Sequence, residues 1–216
     1  MNAFVMISML LIFALGMFLL WREGLLKNTA HLVFAFLFMA GAVVIRYFLL
    51  DFESGDYLSF LAPWTQFFRE HGGFKALGLS VGNYNLPYLY FLALFSYIDI
   101  SELYLIKLLS IVFDVLLAWA CMKLCSLFTK GRLRLIVCFF AVALFPTVVL
   151  DGAYWAQCDS IYTFFAVLSL YLALSDKPVG AMVTITASFA FKLQAVFVMP
   201  IFFVLLVAKK IKFKHL

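Results

Sequence analysis

Residues 31–57 read HLVFAFLFMAGAVVIRYFLLDFESGDY: an apolar run from Leu32 to Leu50, broken once by Arg46, then Asp51, Glu53 and Asp56 within six residues. A helical crossing of a bilayer core takes roughly 20 apolar residues, and in hydrocarbon the backbone polar groups must pair within the segment itself. The run satisfies both demands, and it shows none of the polar–apolar alternation of a barrel strand. Further apolar runs fall near 3–21, 85–98, 103–126, 134–150, 159–175 and 180–208.

The whole chain follows this pattern. It has 216 residues, is 67% hydrophobic and 12% charged, and has a mean hydropathy of +1.10. Such a composition excludes a water-soluble globule and predicts an all-α polytopic membrane protein. The formal charge of +5 comes from short, scattered basic loop clusters, a pattern that orients membrane proteins and does not suit nucleic-acid binding. The first run, from Ala3 to Trp21, has no basic n-region and no small-residue cleavage site, and reads as a retained helix. Cys121, Cys125, Cys138 and Cys158 lie in or beside apolar runs and read as packing residues, since their spacing matches no metal site.

The long connector 51–84 holds a helical pattern in which Tyr57, Phe60, Leu61, Trp64, Phe67 and Phe68 share a face opposite Ser59, Gln66, Arg69 and Glu70. That suits an amphipathic helix in the membrane interface, ended by Gly72 and Gly73. The run 85–98 is short, opens on Pro87 and is rich in Tyr, so a re-entrant or interfacial helix is expected and not a crossing. With that segment non-crossing, Lys130, Arg132 and Arg134 share a side with Arg22 and Lys27. A hairpin turning near Lys192 then keeps Lys177 and the basic tail Lys209, Lys210, Lys212 and Lys214 on that side too. The expected architecture is about seven crossings in one transmembrane domain. It comprises two helices over 1–50, an external loop over 51–102 and a bundle over 103–216 with an external loop at 151–159. Eight of the 11 acids, namely Asp51, Glu53, Asp56, Glu70, Asp99, Glu102, Asp151 and Asp159, fall on the outer face. Only Glu23 and Asp176 fall on the inner one.

Chemistry is expected where those acids gather. In DFESGDY (51–57) a carboxylate could serve as general base toward a hydroxyl, or hold a divalent metal through oxygen ligands; equally, Ser54 or Asp56 could simply cap the following helix. DGAYWAQCDS (151–160) packs Asp151, Tyr154, Trp155, Gln157 and Asp159 into one turn, a set that suits a sugar through aromatic faces and hydrogen bonds to its hydroxyls. The alternative is an interfacial aromatic belt with solvated acids. Lys107, Asp114 and Lys192 lie at membrane depth, with Arg46 nearer a helix end. Such charges are costly, and they mark a function or pair with one another. Lys107 and Lys192 could each hold a lipid phosphate as a point charge, or snorkel to ordinary head groups.

Four stretches in order resemble the GT-C superfamily of membrane glycosyltransferases, and more narrowly bacterial relatives of the GPI mannosyltransferases and the dolichyl-phosphate-glucose-dependent glucosyltransferases. They are Gly55-Asp56-Tyr57 with Pro63-Trp64 after it; Asn83-Tyr84-Asn85-Leu86-Pro87-Tyr88-Leu89, similar to a Tyr-Pro-Pro-Leu element; Asp151 through Ser160; and Phe191-Lys192-Leu193-Gln194 with Pro200-Ile201-Phe202-Phe203 after it. The resemblance implies transfer of a mannosyl, glucosyl or other hexosyl group from a polyprenyl-phosphate sugar to a lipid-linked or cell-envelope acceptor. It implies an active face outside a bacterial plasma membrane and a chain that forms the N-terminal part of a larger enzyme. Asp56, ahead of Asp51, would be the catalytic carboxylate. Tyr84, Trp155, Gln157, Asp159 and Gln194 would bind substrate, and Lys107 and Lys192 the leaving phosphate. The competing expectations are a multi-pass transporter or lipid flippase, with Lys107, Asp114 and Lys192 lining a passage, and a truncated non-catalytic fragment.

Overall fold

A computed structural model describes residues 3–209 and 211, so Lys210, Lys212 and Lys214 of the basic tail lie outside the described residues. Among the described residues the chain is helical, with no strand. The helices are α1 (Ala3–Arg22), α2 (Thr29–Leu49), α3 (Ala62–Glu70), α4 (Leu86–Phe95), α5 (Glu102–Cys125), α6 (Arg132–Ala143), α7 (Pro146–Val149), α8 (Asp159–Leu174), α9 (Pro178–Phe191) and α10 (Met199–Val207).

Helix α5 is the centre of the bundle. Two thirds (67%) of its apolar window is buried, against 33% for α1 and 22% for α2, whose outward faces expose Leu10, Leu11, Leu37 and Phe48. In water that exposure would be unstable; against lipid chains it costs little, and close packing drives helix association instead. Such packing is visible where Gly16 of α1 meets Met39 of α2: a Cβ there would lie 2.6 Å from the Met39 methyl.

Among the described residues three helices, α1, α2 and α5, are long and apolar enough to cross a membrane, or four if the bent pair 132–143 and 146–154 forms one broken span. This falls short of the expected seven. The run 134–150 is bent by 49° where Pro146 cannot continue the ladder. The runs 159–175 and 180–208 become helices of 16, 14 and 9 residues, the last two separated by extended backbone at Lys192 (φ −151°, ψ 131°). Beyond that break, Phe202 and Leu205 of α10 join a core with Ala166, Ala173, Ala181 and Ile185, so the chain folds back along α8 and α9.

The segment between α2 and α5 returns to the end of the bundle that it left. Lys107, near the start of α5, donates to the carbonyls of Leu49, Leu50 and Phe52 at 3.0, 3.0 and 2.6 Å, closing the C-terminus of α2. At the other end Lys123 of α5 pairs with Glu23 at 2.7 Å, and Trp119 donates to the same carboxylate at 3.2 Å. The acidic connector 51–101 therefore covers one end of the bundle only. Its amphipathic helix starts with a π-type turn at Tyr57–Leu61 and continues as α3 to Glu70, just before Gly72. It buries Tyr57, Leu61, Thr65 and Phe68 on one side and leaves Phe60 exposed.

Candidate functional site

Two wide, π-type turns, Tyr57–Leu61 and Leu150–Tyr154, sit at the acidic end. Such turns insert an extra residue into a helical ladder and occur often at functional sites. Asp56 immediately precedes one, and Asp151 belongs to the other.

Ser54 and Asp56 divide the roles that the sequence leaves open. Ser54 Oγ accepts from the Tyr57 amide at 3.1 Å and donates to the Trp155 carbonyl at 2.6 Å, so it both starts the turn and ties it to the second acidic loop. Asp56 makes no capping bond. Its Oδ2 accepts instead from Trp155 Nε1 at 3.1 Å and Gln157 Nε2 at 2.8 Å, while Oδ1 has no hydrogen-bond partner among the described residues. One oxygen is thus fixed by two donors.

The chain presents Trp155 and Gln157 to Asp56 by turning at Ala156, whose φ of +64° is left-handed. That conformation costs an L-residue about 1–2 kcal/mol. Hydrogen bonds offset the cost: Trp155 N to Leu150 O at 2.8 Å, Gln157 N to Asp151 O at 2.9 Å, and Ser110 Oγ to Gln157 O at 2.6 Å. Gly152 lets this loop approach α5, since a Cβ there would lie 3.2 Å from Ser110 Cβ and 3.4 Å from the Asp114 carboxylate.

Gln157 continues the row. Its Oε1 accepts from the Tyr84 hydroxyl at 2.8 Å. Burial, with Cys158, Asp159, Asp56 and Asp151 nearby, holds the Tyr84 phenol well above its ordinary range, so it remains a donor across physiological pH. The Tyr84 ring lies 5.6 Å from Lys192 Nζ, and the Tyr162 ring 5.9 Å from it, both within cation–π range. Lys192 is paired with Asp159, at the first residue of α8, where the helix dipole also favours a negative charge.

Three cavities follow this row. The first, about 410 Å³, is lined by Asp56, Thr147, Leu150, Asp151, Trp155 and Gln157. Asp56 and Gln157 also wall the second, about 150 Å³, with Trp64, Asn83 and Tyr84 among its other residues. Asn83 and Tyr84 in turn wall the third, about 200 Å³, which Asn85, Phe191, Lys192, Leu193 and Gln194 complete.

Seven of the nine residues singled out in the sequence therefore converge: Asp56, Tyr84, Trp155, Gln157, Asp159, Lys192 and Gln194. Two do not. Asp51 is exposed, accepts from the Tyr104 hydroxyl at 2.8 Å and lines none of the three cavities. Lys107 is fully buried and gives its three N–H groups to the end of α2, leaving none for a lipid phosphate. Asp114 is also consumed within the protein. Arg46 Nε and Nη2 donate to its Oδ2 at 3.0 and 2.9 Å, and Ser160 donates to Oδ1 at 2.5 Å. The sequence marked Arg46 and Asp114 as costly charges without joining them, and gave no weight to Ser54 as a cross-link or to Ser110 and Tyr162. Ser110 was detectable, since it lies on the α5 face that carries Lys107 and Asp114.

Among the described residues no group of three or more His, Cys, Asp or Glu side chains is placed to hold a metal ion. No known protein family, curated protein or solved structure matches the chain.

Proposed function

We propose that this chain carries the acceptor-activating site of a membrane hexosyltransferase that uses a polyprenyl-phosphate-linked sugar. The observation that carries the reading is the grip on Asp56. Trp155 and Gln157 immobilise one carboxylate oxygen, and the other is free at the wall of a cavity large enough for a sugar ring.

The acceptor hydroxyl attacks the anomeric carbon of the donor sugar, and its proton passes to Asp56 Oδ1. The bond from that carbon to the phosphate oxygen breaks, with inversion, and polyprenyl phosphate leaves with the electron pair. Charge grows on the leaving oxygen in this step, so a fixed cation near it lowers the barrier. Lys192 is suited to that part: it lies at the far end of the row, half-buried and already held by Asp159, with Gln194 beside it. Trp155 and Tyr84 offer ring faces to the sugars.

A transporter would need Lys107 and Asp114 to line a passage. Both are buried and saturated by protein partners, which favours chemistry at one end of the bundle over movement through it.

The test is hexosyl transfer by membranes carrying this chain, with radiolabelled polyprenyl-phosphate glucose and mannose as donors and extracted envelope lipids as acceptors. Transfer is expected, and Asp56→Asn lowers its rate by about 100-fold or more, the range of a lost general base. Unchanged transfer in Asp56→Asn would remove the assigned role, and absence of transfer from both donors would remove the transferase reading.

A further inference from the structure

The three cavities differ in charge, and the difference identifies the kind of molecule each end accepts. The third is lined by a cation, Lys192, whose partner Asp159 lies outside the lining, with Asn and Gln side chains. The first holds two carboxyl groups, Asp56 and Asp151, and no basic side chain. An anionic head group entering the first cavity would lose water and find no cation among the lining side chains. A neutral polyhydroxyl head would meet acceptors for its hydroxyls and the exposed Trp155 ring for its apolar face.

A second feature fixes what that head is attached to. Between α2 and α6 lies an apolar crevice of about 340 Å³, walled by Phe34, Phe38, Val137, Phe140, Ala141 and, at its upper limit, 144–146. The wall of the acid-lined cavity begins at the next residue, Thr147. The slot suited to a hydrocarbon chain and the pocket suited to hydroxyls are thus walled by adjacent residues of the Pro146 bend.

We infer that this paired site binds a membrane amphiphile with a long apolar chain and an uncharged sugar head. The chain lies in the α2–α6 crevice, and the head hydroxyls reach Asp56, Asp151 and Gln157. Naming this amphiphile the acceptor rests on the hexosyltransferase reading; its binding does not. The inference separates the two lipids of the reaction by charge: the anionic carrier lies at the Lys192 end and the neutral glycolipid at the Asp151 end.

The probe is a dodecyl glucoside carrying a diazirine midway along its chain, added to the full chain in nanodiscs of zwitterionic lipid and mapped by peptide mass spectrometry after irradiation. Label is expected on Phe38, Val137 or Ala141. Unlabelled dodecyl glucoside should displace it at about tenfold lower concentration than dodecyl phosphate, the ratio that one hydrogen bond to a carboxylate supplies. Ala141→Trp, which fills the crevice from an exposed position, and Asp151→Asn, which alters the head pocket, should each reduce labelling severalfold. Label spread evenly over the lipid-facing residues of α1 and α2, or equal displacement by glucoside and phosphate, overturns the inference. Sugar transfer without crevice labelling would leave the transferase reading standing and sink this one; crevice labelling without transfer would do the reverse.

Discussion

At the scale of single residues, Ser54 and Asp56 stand two apart in one turn and do different work because only one of them is needed to start it. Once Ser54 caps the turn at Tyr57, the Asp56 carboxylate is available to Trp155 and Gln157. Lys107 shows the opposite outcome. The sequence offers it for phosphate binding, yet it is spent on structure: three carbonyls at the end of α2 surround its buried ammonium. Removing that cation leaves buried acceptors unpaired. Lys107→Met should lower stability by about 2–4 kcal/mol in an SDS titration of the protein in mixed micelles. A loss below about 0.5 kcal/mol would show that these carbonyls are paired some other way.

Between elements, the polar stripe of α5 orders the site. Lys107, Ser110 and Asp114 lie on one helix face and bond the end of α2, the loop carbonyl of Gln157, and Arg46 with Ser160. Helices α2, α5 and α8 and the loop before α8 are thereby locked in register, and the row from Asp56 to Lys192 inherits that rigidity. The pair of Arg46 and Asp114 is 3% and 0% exposed, so breaking it on one side strands a charge. Arg46→Met or Asp114→Leu alone should cost about 3–5 kcal/mol. The double variant should cost at least about 2 kcal/mol less than the sum, measured by the same SDS titration. Additive losses would mean that the two residues do not act as a pair. Most of the helical elements are legible in the sequence, because apolar length and Pro, Gly and acidic boundaries are local signals. The count of crossings is not, because apolar runs that suggest crossings fold into helices of 16, 14 and 9 residues from Asp159 onward, although the break expected near Lys192 is present.

For the whole molecule, charge is sorted along the bundle axis. Asp51, Glu53, Asp56, Glu102 and Asp159 gather at one end. Glu23, Lys123 and the loop with Lys130 and Arg132 occupy the other. Since Lys and Arg loops stay cytoplasmic, the site end is expected to face outward. In a background with the four native cysteines replaced by Ala, Gly55→Cys and Leu193→Cys should react with a membrane-impermeant maleimide on intact cells. Lys130→Cys and Asp176→Cys should react only after permeabilisation. Placement of Gly55 and Leu193 in different classes would separate Asp56 from Lys192 and end the proposed mechanism.

Read alone, the amino-acid sequence carries the helical, apolar character of the chain and the end of the bundle where its acids collect, and of the nine side chains it singles out, seven meet there. These follow from composition, run length and the sorting of charge, all readable without knowing which residues touch. Which carboxylate is held and which ammonium is spent is set by the packing of distant segments. Those choices depend on contacts between distant positions, Asp56 with Gln157 across 101 residues and Arg46 with Asp114 across 68. A buried charge takes whichever partner packing brings within about 3 Å, and nothing in its local sequence names that partner.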